Sequence, residues 1–74
     1  MAAVPNVSGR RAVKAFERLG WTFVRQSGSH MILTKSGQMA SLSVPDHNPV
    51  ARGTLRSLIR AAGITVDEFV AALD

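Results

Sequence analysis

The span from Trp21 to Val44 constrains the fold more than any other. It holds three short runs: Trp21-Thr22-Phe23-Val24-Arg25-Gln26, His30 to Lys35, and Ala40-Ser41-Leu42-Ser43-Val44. The first is rich in β-branched and aromatic residues, which fit a pleated, half-buried surface. Ser27, Gly28 and Ser29 part the first run from the second, and Ser36-Gly37 parts the second from the third. Both separators are turn formers, so the span reads as two β-hairpins, the first reversing at Ser27-Gly28 with His30 at the head of the returning strand. Pro45 stops the third strand. In period two, Trp21, Phe23 and Arg25 share one face of strand one, and Thr22, Val24 and Gln26 the other. On strand two, His30, Ile32 and Thr34 oppose Met31, Leu33 and Lys35. Both sets hold an aliphatic residue, so alternation does not say which faces the core. Strand three is clean: Ala40, Leu42 and Val44 face inward, and Ser41 and Ser43 face water or a ligand.

Helical patterns flank this span. Ser8 is a good N-cap for a helix from Gly9 or Arg10. Ala12, Ala15, Phe16 and Leu19 then repeat at i, i+3, i+4, i+7, with Val13 beside them. Arg11, Lys14 and Arg18 fall on the opposite side, and Gly20 is placed to end the helix. After the loop Asp46-His47-Asn48-Pro49-Val50-Ala51, Thr54 is a candidate N-cap for a second helix. Its buried stripe is Leu55, Leu58, Ile59 and Ala62, and Gly63 closes it. Thr65-Val66-Asp67-Glu68 has the form of a capping box, followed by an apolar stripe of Val66, Phe69, Val70 and Leu73. The layout is α-β-β-β-α-α: an α+β domain with a three-stranded antiparallel sheet packed on helices. Helices need cover only one face, so the other face of the sheet is expected to be open. Residues 1–7 are expected as a short loose tail and 8–74 as a single domain.

Seventy-four residues make one domain with a thin core. An apolar content of 46% excludes a disordered tail. The chain has no cysteine, which removes disulfide frameworks, thiolate metal sites and cysteine nucleophiles. A small domain without disulfides fits a reducing compartment, so a cytoplasmic location is expected. No apolar run is long enough to span a membrane, and the first residues lack the form of a signal peptide. The charge is unevenly placed. Residues 1–60 hold all nine basic residues and only Glu17 and Asp46 against them, a net +7, whereas residues 61–74 hold Asp67, Glu68 and Asp74 and no base, a net −3. A polyanion such as nucleic acid, or an acidic protein, is therefore a natural partner for the body of the domain.

There is no P-loop, no dinucleotide-binding glycine pattern and no zinc-ligand spacing. His30 and His47 are the only histidines, and two histidines with scattered carboxylates make a weak case for a metal. Histidine is the side chain that changes charge around neutral pH, so these two are the acid–base candidates. One reaction asks for little else. RNA cleavage through its own 2′-hydroxyl needs a base for that proton and cations on the phosphoryl oxygens. His30, beside a glycine turn and across a hairpin from Arg25, suits that work, and the same residues also suit an ordinary hairpin. By parity Arg25 is a better phosphate partner than Lys35, which points away from His30. Arg52 and Arg56 flank the start of the second helix, where backbone amides favour an anion. They can equally be solvated or meet an acidic protein.

Several segments, taken in order, closely resemble the HicA family of small toxins. They are Gly28-Ser29-His30 after an aromatic-rich strand, Val44-Pro45 with His47 two residues on, Arg52-Gly53-Thr54-Leu55-Arg56-Ser57-Leu58, Ala62-Gly63-Ile64 and Glu68-Phe69. The resemblance runs from about Ser8 to Leu73. It implies a fold like a double-stranded RNA-binding domain and the toxin role of a type II toxin–antitoxin module. It implies a ribosome-independent endoribonuclease, an mRNA interferase acting on mRNA and transfer–messenger RNA. The histidine of the Gly-Ser-His segment, here His30, would be its catalytic residue. The partner it implies is a HicB-type antitoxin. Where the family often carries a second histidine, this chain has Met31, whose side chain is expected on the face opposite His30. The expected RNA- or phosphate-binding residues are Arg25, Gly28, Ser29, Arg52 and Arg56, with His47 and Lys35 as secondary, supporting candidates. No metal or other cofactor is expected. The alternative reading is a non-catalytic module of the same fold that binds RNA or protein.

Overall fold

A computed structural model describes residues 3–73. The element order is α1 (Gly9–Arg18), β1 (Thr22–Ser27), β2 (His30–Thr34), β3 (Leu42–Pro45), α2 (Arg52–Ala61) and α3 (Val66–Ala72), an α+β domain with the expected α-β-β-β-α-α order. The strands form one antiparallel sheet in the order β1-β2-β3. No helix among the described residues is long and apolar enough to cross a membrane.

Local chemistry accounts for most boundaries. The Ser8 hydroxyl accepts the Arg11 amide at 3.2 Å and caps α1. Thr65 and Glu68 form the reciprocal capping box that starts α3. The first hairpin closes one residue later than expected: Ser27 pairs with His30 and the loop is Gly28-Ser29. Gly28 has φ +59°, and Ser29 is not in the left-handed region. Positive φ at the first loop residue alone is the requirement of a type II′ reversal, which glycine meets without strain.

The ambiguity of β2 is settled by burial. Met31 and Leu33 are buried and pair with Val44 and Leu42 of β3, so this face of the sheet meets the helices. Phe16 of α1, Leu55 of α2 and Phe69 of α3 complete the core, with the Phe16 and Phe69 rings 5.1 Å apart. All four expected apolar positions of α2 (Leu55, Leu58, Ile59 and Ala62) are buried. The stripe expected on α3 is thinner. Phe69 alone is fully buried, and Val70 is exposed.

Several expectations give way. Ala40, expected to face inward from strand three, precedes β3 and is exposed. Trp21 precedes β1 as a buried core residue rather than opening the strand. A bulge at Val24 breaks the parity of β1, since Phe23 pairs with Leu33 and Arg25 with the very next residue back, Ile32. Phe23 and Arg25 therefore lie on opposite faces, because one unpaired residue reverses the alternation. The second helix begins at Arg52 with Ala51 as its N-cap, ahead of Thr54, and no side chain caps it. Finally, within the segment expected as a loose tail, Val4 and Val7 are core residues, and the Val7 carbonyl accepts the Val50 amide at 2.9 Å. Met1 and Ala2 lie outside the described residues.

Candidate active site

His30 is the first residue of the central strand, paired with Ser27 on one side and Pro45 on the other. Since Met31 and Leu33 face the core, alternation turns His30 outward onto the open face with Ile32 and Thr34. The buried Met31 points the other way, as the parity of the strand requires. His30 lines a groove of 420 Å³ together with Ser43, Pro45, His47, Pro49, Ala51 and Thr54. The walls thus come from the ends of β2 and β3, the loop that follows, and the first turn of α2.

That loop is fastened at both sides. The Asp46 amide donates to the Ser29 carbonyl at 2.7 Å, and the Gly9 amide at the head of α1 donates to the His47 carbonyl at 2.8 Å. The Asp46 carboxylate accepts from Gln26 Nε2 at 3.3 Å and from the Arg10 guanidinium at 3.4 Å. These contacts hold the turn before His30, the loop bearing His47 and the start of α1 together. The peptide between Asn48 and Pro49 is cis.

The start of α2 gives the groove its electrostatic character. The first amides of a helix lack intrahelical partners, and the aligned peptide dipoles place partial positive charge there. In α2 no side chain caps those amides and the first turn has no acidic residue. Arg52 is the first helical residue and exposed, with Gly53, also exposed, next to it. Arg56 is one turn further on. The end of the groove beside Ala51 and Thr54 is therefore suited to an anion.

The other expected residues are placed as follows. The hairpin register, Ser27 with His30, Gln26 with Met31 and Arg25 with Ile32, puts Arg25 on the same sheet face as His30. Gly28 and Ser29 form the exposed turn next to His30, outside the groove wall. The Gly28 carbonyl accepts from Gln26 Nε2 at 3.2 Å, and the Ser29 carbonyl is taken by Asp46. His47 stands in the wall itself. Lys35 does not join the site, because its Nζ donates to the Leu19 carbonyl at the end of α1, at 3.3 Å. It lies five residue steps from His30, just past the end of β2, roughly 16 Å along an extended chain. Gly9 and Asp46 were absent from the expected set. No local signal marks them, because their partners lie far away in sequence. Among the described residues, no three of His, Cys, Asp or Glu converge in a way that suits a metal ion.

A family model described as the HicA toxin of bacterial toxin–antitoxin matches residues 9–64. No curated protein matches the chain significantly. The matched segment runs from the first residue of α1 to just past α2 and includes every residue lining the groove. The chain therefore belongs to the HicA toxin family, the toxin side of bacterial toxin–antitoxin modules, whose members have an antitoxin as partner.

Proposed function

We propose that this toxin is an endoribonuclease that cleaves mRNA without a metal, by attack of the RNA's own 2′-hydroxyl on the adjacent phosphorus, with His30 as general acid/base. The observation that carries the reading is the meeting of an outward-facing strand histidine and an uncapped helix start in one groove. A phosphodiester seated there would face the imidazole on one side and the α2 amides on the other. Arg52, Arg56 and Arg25 would offset the charge that grows on the phosphoryl oxygens, where fixed cations and amide dipoles act most strongly. Gly28 and Ser29 would position the adjoining backbone. The nucleophile belongs to the substrate, which is why so small a site can suffice. The products would be a 2′,3′-cyclic phosphate and a 5′-hydroxyl end. Transfer–messenger RNA offers the same chemistry as mRNA. The inhibitory partner is a HicB-type antitoxin that covers the groove, and the work is done in the cytoplasm.

The test is cleavage of a long RNA in EDTA by the wild-type chain and by His30→Ala, with circular dichroism to establish that the variant is folded. The expected loss is on the order of 10²-fold or more, the usual worth of a positioned proton-transfer group. A folded His30→Ala that cuts at the wild-type rate would refute the role of His30. A wild-type chain that binds RNA and never cuts it would instead be a binding module.

A further inference from the structure

The groove holds two imidazoles, and the reading above uses one of them. His30 and His47 both line it, reached by independent routes. His30 is held by strand pairing on both sides. His47 is held by its own carbonyl, which takes the Gly9 amide, and by its neighbour Asp46, whose amide is bound to the Ser29 carbonyl. The backbones that carry the two rings are thus linked by a hydrogen bond one residue away from each histidine. Neither imidazole has a side-chain hydrogen bond or ion pair among the described residues, so both are open to a ligand. A volume of 420 Å³ lies in the range of small-ligand pockets and leaves room for a phosphodiester beside the two rings.

We infer that His47 is a second catalytic residue, and that His30 and His47 act as an acid–base pair in the groove. The inference rests on the ribonuclease reading above. One imidazole, neutral, takes the proton of the 2′-hydroxyl as the O2′–P bond forms. The other, as imidazolium, gives its proton to the 5′-oxygen as the P–O5′ bond breaks. The products are the cyclic phosphate and a neutral 5′-hydroxyl, and exchange with water returns both rings to their starting states. A lone histidine cannot be neutral for the first transfer and protonated for the second at the same moment. Two rings on one groove remove that conflict, and the alkoxide, a very poor leaving group, never departs unprotonated.

The test compares wild type, His30→Ala and His47→Ala as full-length chains, each shown folded by circular dichroism. The substrate is an oligoribonucleotide spanning a mapped wild-type cleavage site, made with either oxygen or sulfur at the 5′-bridging position of that linkage. A thiolate departs without a proton, so sulfur makes the general acid dispensable. On the oxygen substrate both variants are expected to lose on the order of 10²-fold. On the sulfur substrate one of the two variants, and not the other, is expected to recover to within about tenfold of wild type. His47→Ala cutting the oxygen substrate at nearly the wild-type rate would overturn the inference and leave the ribonuclease reading intact. Rescue of both variants, or of neither, would also overturn the pairing. A wild-type chain that cuts neither substrate would overturn the ribonuclease reading, and the pair with it.

Discussion

At Gly9 the backbone of α1 lies against β3, and a Cβ on that residue would overlap the Pro45 carbonyl oxygen. The same residue donates its amide to the His47 carbonyl. Only a residue without a side chain allows both. Gly9→Ala is therefore expected to push α1 away from the Pro45–His47 loop and to lower stability by about 1–3 kcal/mol, the usual cost of forcing extra volume into a packed site. RNA cleavage should fall as well, although Gly9 does not line the groove. Thermal melts and a cleavage assay on the one variant check both parts, and unchanged melting would show that the loop can give way.

At the scale of the element, the start of α2 forgoes the stability of a side-chain cap. Ala51 already has the extended backbone of an N-cap, with φ −56° and ψ 135°, and lacks only a side chain that can accept from the helix amides. Ala51→Asp would supply it, and would place negative charge where the helix dipole favours it. A raised melting temperature is expected, corresponding to about 0.5–2 kcal/mol. Because Ala51 lines the groove, the new carboxylate would also compete with a phosphate for the same amides, and RNA affinity and cleavage are expected to drop. A variant that gains stability and cleaves as well as wild type would show that the α2 amides take no part in binding RNA.

At the scale of the molecule, the uneven charge of the chain has a spatial counterpart. None of the groove's lining residues comes from α3, which carries Asp67 and Glu68. The candidate phosphate-binding cations stand on β1 (Arg25) and α2 (Arg52 and Arg56). If these cations meet phosphates, binding releases counterions and affinity falls linearly on a log–log plot against salt. RNA titrations with His30→Ala, chosen so that the substrate survives, should show that slope. Arg52→Gln in the same background should flatten it by about 1, the share of one phosphate contact. A slope unaltered by Arg52→Gln would place Arg52 outside the RNA contact.

Much of the fold was legible in the chain, because its signals are local. The helical stripes, the capping box at Thr65, the turn glycines and the stop at Pro45 depend on residues a few positions apart, and together they placed six elements in their order. His30 was legible too, as a histidine heading a strand after a glycine turn. What the tertiary structure decided depends on residues far apart in sequence. Burial of Met31 and Leu33 chose the core face of β2 and so turned His30 outward. The bulge at Val24 turned Phe23 to the face opposite Arg25, which a strict two-residue period cannot foresee. The Leu19 carbonyl after α1 supplied the partner of the Lys35 ammonium. Hydrogen bonds from Gly9 and to Ser29 hold the loop that brings His47 into the groove. The sequence by itself thus determined which elements form and in what order. Packing between them determined which side chains share the site, since that choice is made by partners that meet only once the chain has folded.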